Sequence, residues 1–259
     1  MKKLFPMMSL PLVVFTLGIG TAWGEPTNGL VAHYRFDEGS GTTLYDDTAN
    51  QFDGPITNAS WATGPVYGHA LNFNGSTGKV ELSSQAALST IGGLSQGTIS
   101  VWFYYRGIPA GNSLSPIFYL GESGFNNFLV IEVGHNDITN EKLYFTVAVG
   151  GSLSLCFDSG VNLQRNRWYH FVAVVGPNGN TGYLNGVEMT ARHYNAGNPS
   201  TVKFFANVPI REKFTLGRGT TLPGKSNSQA YTFYGAVGET RVYDRPLTAI
   251  EVQELYDLN

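Results

Sequence analysis

Cysteine is nearly absent: Cys156 is the one thiol in 259 residues. No internal disulfide can form, so the fold must be held by its core, with or without a metal ion. Cys156 lies in the apolar run LSLCF (153–157), which predicts a buried, inert thiol, since a reactive one needs an electropositive and accessible setting. Charge is also scarce. Asp, Glu, Lys and Arg make up 14% of the chain against a usual value of about 25%. The 16 Lys and Arg do not outnumber the 19 Asp and Glu, so no basic surface is expected for nucleic acid or an anionic membrane. Beyond residue 24 no apolar run reaches membrane length. The chain has no His/Cys/Asp cluster at transition-metal spacing, no Gly-x-Ser-x-Gly turn and no phosphate loop.

Glycine and aromatic residues are abundant. There are 32 Gly, 14 Tyr and 16 Phe, a composition that favours tight turns and pleated, half-buried surfaces over helices. Residues 1–24 have the layout of a secretory signal: Lys2 and Lys3, an apolar stretch from Leu4 to Ile19, then Ala22-Trp23-Gly24 as a small-x-small cleavage site. The expectation is a mature domain of residues 25–259 that is secreted, periplasmic or at the cell surface, with no membrane span once the signal is removed.

The rest of the chain alternates short runs of Val, Ile, Phe, Tyr and Thr with Gly, Asn, Pro and Ser. Strands are predicted at 30–36, 70–73, 78–82, 97–105, 116–120, 127–134, 142–149, 153–157, 168–175, 180–184, 187–190, 213–217 and 232–243. This even spacing, without a low-complexity linker, predicts an all-β sandwich. Asn185-Gly186 between TGYL and VEM predicts a type I′ hairpin. A helix is expected at the end, from Ala249 toward Tyr256. There Thr248 and Glu251 make a capping box, and Leu247 and Val252 make a hydrophobic staple.

The segments GLVAHYRFDEGSG (29–41), YDDTANQFDG (45–54), GHALNFNG (68–75), TISVWFYYRG (98–107), WYHFVAVV (168–175), GYLNGVEM (182–189) and GAVGETRVYDRPLTAIEVQELYD (235–257) resemble the laminin-G-like jelly rolls of the concanavalin A-like lectin/glucanase superfamily. The resemblance implies two curved antiparallel sheets, with the first and last strands side by side and a calcium ion often near them. Ca²⁺ takes six to eight oxygens from flexible loops, and Asp37, Asp46, Asn50 and Asp53 crowd into residues 37–54. Glu239 keeps the acid of the family's late Ile-Asp-Glu-Val motif, whereas Gly238 replaces its Asp. The implied donors are Asp37, Asp46, Asn50, Asp53 and Glu239; the alternative is that these acids cap turns.

Function is less constrained, because the fold hosts lectins, adhesion modules, glycosidases and lyases. In FLVIEVG (128–134), alternation puts Phe128, Val130 and Glu132 on one strand face, an acid beside an aromatic ring as in a sugar-binding sheet. The Glu-x-Asp-x-x-Glu strand signature of the superfamily's glucanases is missing. Glu132, His135 and Tyr144 are the candidates for acid, base or lyase chemistry, while His170 is expected to be a core histidine. Aromatic residues interleaved with amides and Arg106 suit a sugar, whose apolar face stacks on a ring while amides and charges hold its hydroxyls. The candidate ligand-binding residues are therefore Tyr104, Tyr105, Arg106, Phe128, Glu132 and Tyr144. The leading expectation is a carbohydrate-binding, lectin-like module for a polysaccharide or glycan. The alternatives are a small polysaccharide-degrading enzyme and an envelope or adhesion protein with a protein partner.

Overall fold

The computed structural model describes residues 24–135, 140–221 and 230–259. The signal-like segment 1–23 therefore lies outside the described residues, as does Asn136. Among the described residues two large antiparallel sheets and a two-stranded ribbon form, and no helix is long and apolar enough to cross a membrane.

The eight-stranded sheet runs in the order Val187–Glu188, Gly179–Leu184, Arg167–Gly176, Gly97–Tyr105, Tyr234–Tyr243, His69–Asn74, Ala59–Thr63. Leu30–Tyr34 adds to it by pairing with the second half of Tyr234–Tyr243, while His69–Asn74 pairs with the first half. The register against Gly97–Tyr105 breaks between Val237 and Thr240, the bulge that holds Gly238 and Glu239. First and last strands thus lie side by side, as the family resemblance implies. The nine-stranded sheet runs His193–Ala196, Ser152–Asp158, Glu141–Val149, Phe128–His135, Leu114–Gly121, Lys213–Leu216, Lys79–Glu81, Gly54–Thr57, Thr43–Leu44.

Alternation, interrupted by bulges such as the one between Pro116 and Phe118, sorts the strands between core and outside. Ile99, Val101, Phe103 and Tyr105 of one sheet and Leu129, Ile131, Val133, Phe145 and Val147 of the other belong to one buried cluster. Each fully buried side chain of this kind stabilises the fold by roughly 1.5–3 kcal/mol. The predicted strands are all present, and the Asn185-Gly186 hairpin has both residues at positive φ, 53° and 77°, as a type I′ turn requires.

The terminal helix Ala249–Tyr256 carries the expected capping box between Thr248 and Glu251. Its Val252 and Leu255 pack on Val172, Val174, Tyr183 and Tyr243. A second short helix, Gln85–Thr90, capped by Ser84, has no counterpart among the sequence expectations; two turns without a clear apolar period leave little signal. His170 is fully buried against this outer face, its Nε2 2.8 Å from Ser100 Oγ and its ring stacked on Trp102 at 4.9 Å. Burial pulls it down to about 4, so it is a neutral core histidine.

Candidate functional site

The strand Phe128–His135 occupies the middle of the nine-stranded sheet, and its outward residues build an open groove. Glu132 stands opposite Tyr144 on one neighbour and Pro116 on the other. Val130 stands opposite Thr146, which stands opposite Cys156. Above this floor Phe125 leans on Phe128 at 4.6 Å and on Tyr231 at 6.0 Å, and Tyr119 stacks near Phe128 at 6.0 Å. The result is a groove of ≈ 350 Å³ lined by Phe125, Phe128, Glu132, His135 and Tyr144 among others. At Gly134 a Cβ would fall 2.9 Å from the tip of the Leu114 side chain and 3.3 Å from the Tyr144 ring, so a larger residue would crowd both.

The aromatic wall is fixed from behind. The Glu122 carboxylate accepts from the backbone N–H of Asn126 (2.7 Å) and Asn127 (3.2 Å) and from Asn127 Nδ2 (2.9 Å). Asn127 Oδ1 in turn accepts from Gly150 N at 2.8 Å. These bonds close the loop 122–127 and set Phe125 over the groove.

Glu132 is 6% exposed, and no described residue gives it a hydrogen bond or an opposite charge. Burial alone pushes it up to about 8, because a desolvated carboxylate is disfavoured relative to the acid. Burial, and then the Asp158 carboxylate, raise the Tyr144 phenol to about 12. Burial also raises the Cys156 thiol, in keeping with an inert role. At neutral pH the floor therefore offers a carboxylic acid and a phenol, both able to donate and accept hydrogen bonds, set among apolar rings.

The remaining sequence candidates lie elsewhere. Tyr104 and Arg106 are on the outer face of the eight-stranded sheet, where Arg106 sits 5.3 Å from the Tyr104 ring centroid. Tyr105, expected to bind ligand, is instead part of the core with 0% exposure, because alternation turns it inward when Tyr104 points out. Glu122, Leu114, Thr146, Leu153 and Asn195 belong to the groove or its support without having been singled out. Thr146 was within reach of sequence reasoning, since it is two residues from Tyr144 on the same strand face.

The five residues expected to hold calcium do not form one donor set. Asp46 Oδ1 accepts from the N–H of His33 (2.9 Å) and Thr48 (3.1 Å), and its Oδ2 from Thr48 Oγ1 (2.9 Å) and Phe52 N (3.0 Å). Asp53 accepts from Asp46 N at 2.8 Å, Asn50 Nδ2 donates to Val31 O at 2.8 Å, and Asp37 pairs with Arg35 at 3.2 Å. Glu239 is ion-paired with Arg241, whose guanidinium also meets Glu25. His33 Nε2 lies 3.2 Å from Glu239 Oε1. Among the described residues no group of three or more His, Cys, Asp and Glu side chains is arranged to hold a metal ion. The residues present do not fit calcium at this junction, where the buried positive charge is a guanidinium.

The fold, with its paired terminal strands and its open sheet face, agrees with the sequence comparison. A family model, the concanavalin A-like lectin/glucanases superfamily, matches residues 74–253, more than half of the chain. The chain belongs to this superfamily. No curated protein matches the sequence. Among solved structures the superfamily member is similar to domain 4 of AbnA, a GH43 extracellular arabinanase from Geobacillus stearothermophilus, in complex with arabinotriose. That match has a TM-score of 0.58 at 22% identity and covers 88% of this chain and 98% of that one. It is also similar to the Ruminococcus gnavus IT-sialidase CBM40 bound to alpha2,3 sialyllactose, with a TM-score of 0.54 at 16% identity, covering 72% and 96%. Trypanosoma rangeli sialidase in complex with sialic acid matches with a TM-score of 0.59 at 19% identity over 89% of this chain, and over 33% of the sialidase. These likenesses establish the fold.

Proposed function

We propose that the chain is an exported, non-catalytic saccharide-binding module that holds a polysaccharide or glycan in the groove of its nine-stranded sheet. The observation that carries the reading is the placement of the unpartnered Glu132 carboxyl and the Tyr144 hydroxyl beneath the Phe125–Phe128 wall. A sugar's C–H face would stack on the rings while its hydroxyls satisfy the acid and the phenol. Two of the structural neighbours are small domains with oligosaccharides bound, arabinotriose and sialyllactose, which supports saccharide as the ligand class. Export rests on the layout of residues 1–24.

One observation favours a second reading, a polysaccharide-degrading enzyme: a carboxyl still protonated at neutral pH is what a general acid needs. Hydrolysis by the usual route needs a second carboxylate across the bond. Among the described groove-lining residues Glu132 is the one acid. Asp158 is two strands away, beyond Tyr144, and its carboxylate is engaged by Lys142 at 3.3 Å. Binding is the reading the geometry supports better.

The test is size-exclusion chromatography of the protein after incubation with a panel of neutral and acidic polysaccharides, following protein and polymer separately. Co-elution with unshortened polymer, lost in Phe125→Ala and Tyr144→Ala proteins of unchanged melting temperature, is the expected result. Shortened polymer would establish the enzyme instead. A panel showing neither co-elution nor shortening would contradict both and leave a protein partner to be sought.

A further inference from the structure

The outer face of the eight-stranded sheet is covered only in part. The helix Ala249–Tyr256 packs over Val172, Val174 and Tyr243, and Tyr256 stacks on Trp102 at 5.6 Å. Beyond Trp102 the half-buried side chains of Asn72, Tyr104, Arg106 and Trp168 reach the surface. One register row crosses five strands there as Ser60, Asn72, Ala236, Tyr104 and Trp168. At one end the Tyr104 and Trp168 rings stand 5.6 Å apart, tilted by 59°. Small residues form the floor beside them, Ala236 and Ala70 with Gly238.

Gly238 is buried beneath the platform. Its φ is not positive, so its backbone does not demand glycine. A Cβ there would meet Trp102, the Trp168 ring and Ala70 at 3.6, 3.7 and 3.8 Å, ordinary van der Waals contact. The missing side chain lets the Trp168 ring lie close over the strand, so a longer side chain at 238 would press on it from beneath.

The Trp168–Tyr104 platform is flanked by a cation without an ion pair among the described residues. The Arg106 guanidinium lies 5.3 Å from the Tyr104 ring centroid and 5.8 Å from that of Tyr234, which is 40% exposed. It donates to Asn72 Oδ1, and among the described residues it forms no ion pair. Two rings and an amide thus hold the cation in place without neutralising it, leaving N–H donors for an incoming anion.

We infer that this platform is a second saccharide site, specific for a carboxylated sugar, with the sugar ring on Trp168 and Tyr104 and its carboxylate on Arg106. A guanidinium pairs with a carboxylate in a planar, two-pronged fashion that a neutral hydroxyl does not reproduce. The site lies on the sheet opposite the groove, so it stands or falls separately from the groove reading.

The experiment is isothermal titration of the purified protein with a short oligogalacturonate and, as the uncharged control, its methyl ester. The expected result is that the acid binds at least roughly tenfold more tightly than the ester and that Arg106→Gln removes this preference. Trp168→Ala and Gly238→Leu weaken both ligands at this site, while the preference for the acid survives in Phe125→Ala. Gly238→Leu presses on the Trp168 ring from beneath, and Tyr104→Ala removes the second ring of the platform where that variant fails to fold. The inference is overturned if the wild-type protein does not prefer the acid, if folded Arg106→Gln keeps the preference, or if folded Gly238→Leu binds like the wild type. It is also overturned if Phe125→Ala abolishes the preference for the acid, an outcome that would place the carboxylate in the groove and leave the proposed function intact.

Discussion

Glu132 and Tyr144 stand opposite each other on adjacent strands of the nine-stranded sheet and share its outer face. Burial holds Glu132 up to about 8, whereas an unfolded Glu titrates near 4.3. The folded protein therefore binds more protons than the unfolded chain between these values. Its stability from this group is fully present below the unfolded pKa and is lost as pH rises through about 8. The slope is about 1.4 kcal/mol per pH unit within that window. Glu132→Gln should melt close to the wild type at pH 4 and well above it at pH 9. Thermal melts at the two pH values check this, and a pH-independent difference between the proteins would refute it.

Arg241 is fully buried between Glu239 and Glu25, with Tyr67 Oη 3.2 Å and Tyr243 Oη 3.3 Å from its nitrogens. Arg241→Met leaves Glu239 buried without its main partner and should cost about 3–5 kcal/mol. The double change with Glu239→Gln should recover part of that loss. Denaturant titration of the single and double variants measures the coupling.

Burial works against the charge of Glu239, but Arg241 and His33 outweigh it and hold the carboxyl down to about 2. Its contribution to stability is present above the unfolded value near 4.3 and is lost as pH falls toward 2. The wild type should therefore lose more stability on acidification across that range than the Glu239→Gln protein, as acid titration followed by circular dichroism would show.

Because the candidate calcium donors are taken up by N–H groups and by Arg241, the melting temperature should be the same in millimolar Ca²⁺ and in excess chelator. Calorimetric scans in the two buffers check it. A drop of several degrees on chelation would locate a calcium ion that the junction geometry does not accommodate.

The capping box of the last helix is complete: Glu251 N donates to Thr248 Oγ1 at 3.3 Å and Thr248 N to Glu251 Oε2 at 2.8 Å. Thr248→Ala should cost about 1 kcal/mol, a fall in melting temperature of roughly 2–4 °C for a domain of this size. Thr248→Ser should restore most of it.

Much of this architecture is legible in the sequence because each strand carries its own period. Alternation places Phe128 and Glu132 together and sets His170 beside Val172 and Val174, while the apolar run around Cys156 predicts its burial. The cap and staple residues specify the last helix almost to its ends. What alternation does not supply is which strands become neighbours. Tyr104, Tyr105 and Arg106 look like one aromatic and basic cluster along the chain, yet they divide between the core and the sheet opposite the groove. Glu122 carries no pattern at all, since its role is to accept three N–H groups from a loop that only the fold brings around it. Asp46 and Glu239 satisfy a calcium-like composition, and only the bonds they make distinguish turn capping and ion pairing from metal binding.

Saccharide binding in the Glu132–Tyr144 groove, as proposed, can be observed by two-dimensional amide NMR of the labelled protein titrated in turn with neutral and acidic oligosaccharides. A bound ligand should shift resonances of Phe125, Phe128, Glu132, Tyr144 and Thr146, and Tyr144→Ala should abolish the shifts. Shifts that spare these residues for every ligand that binds, or no shifts with any saccharide, would contradict it.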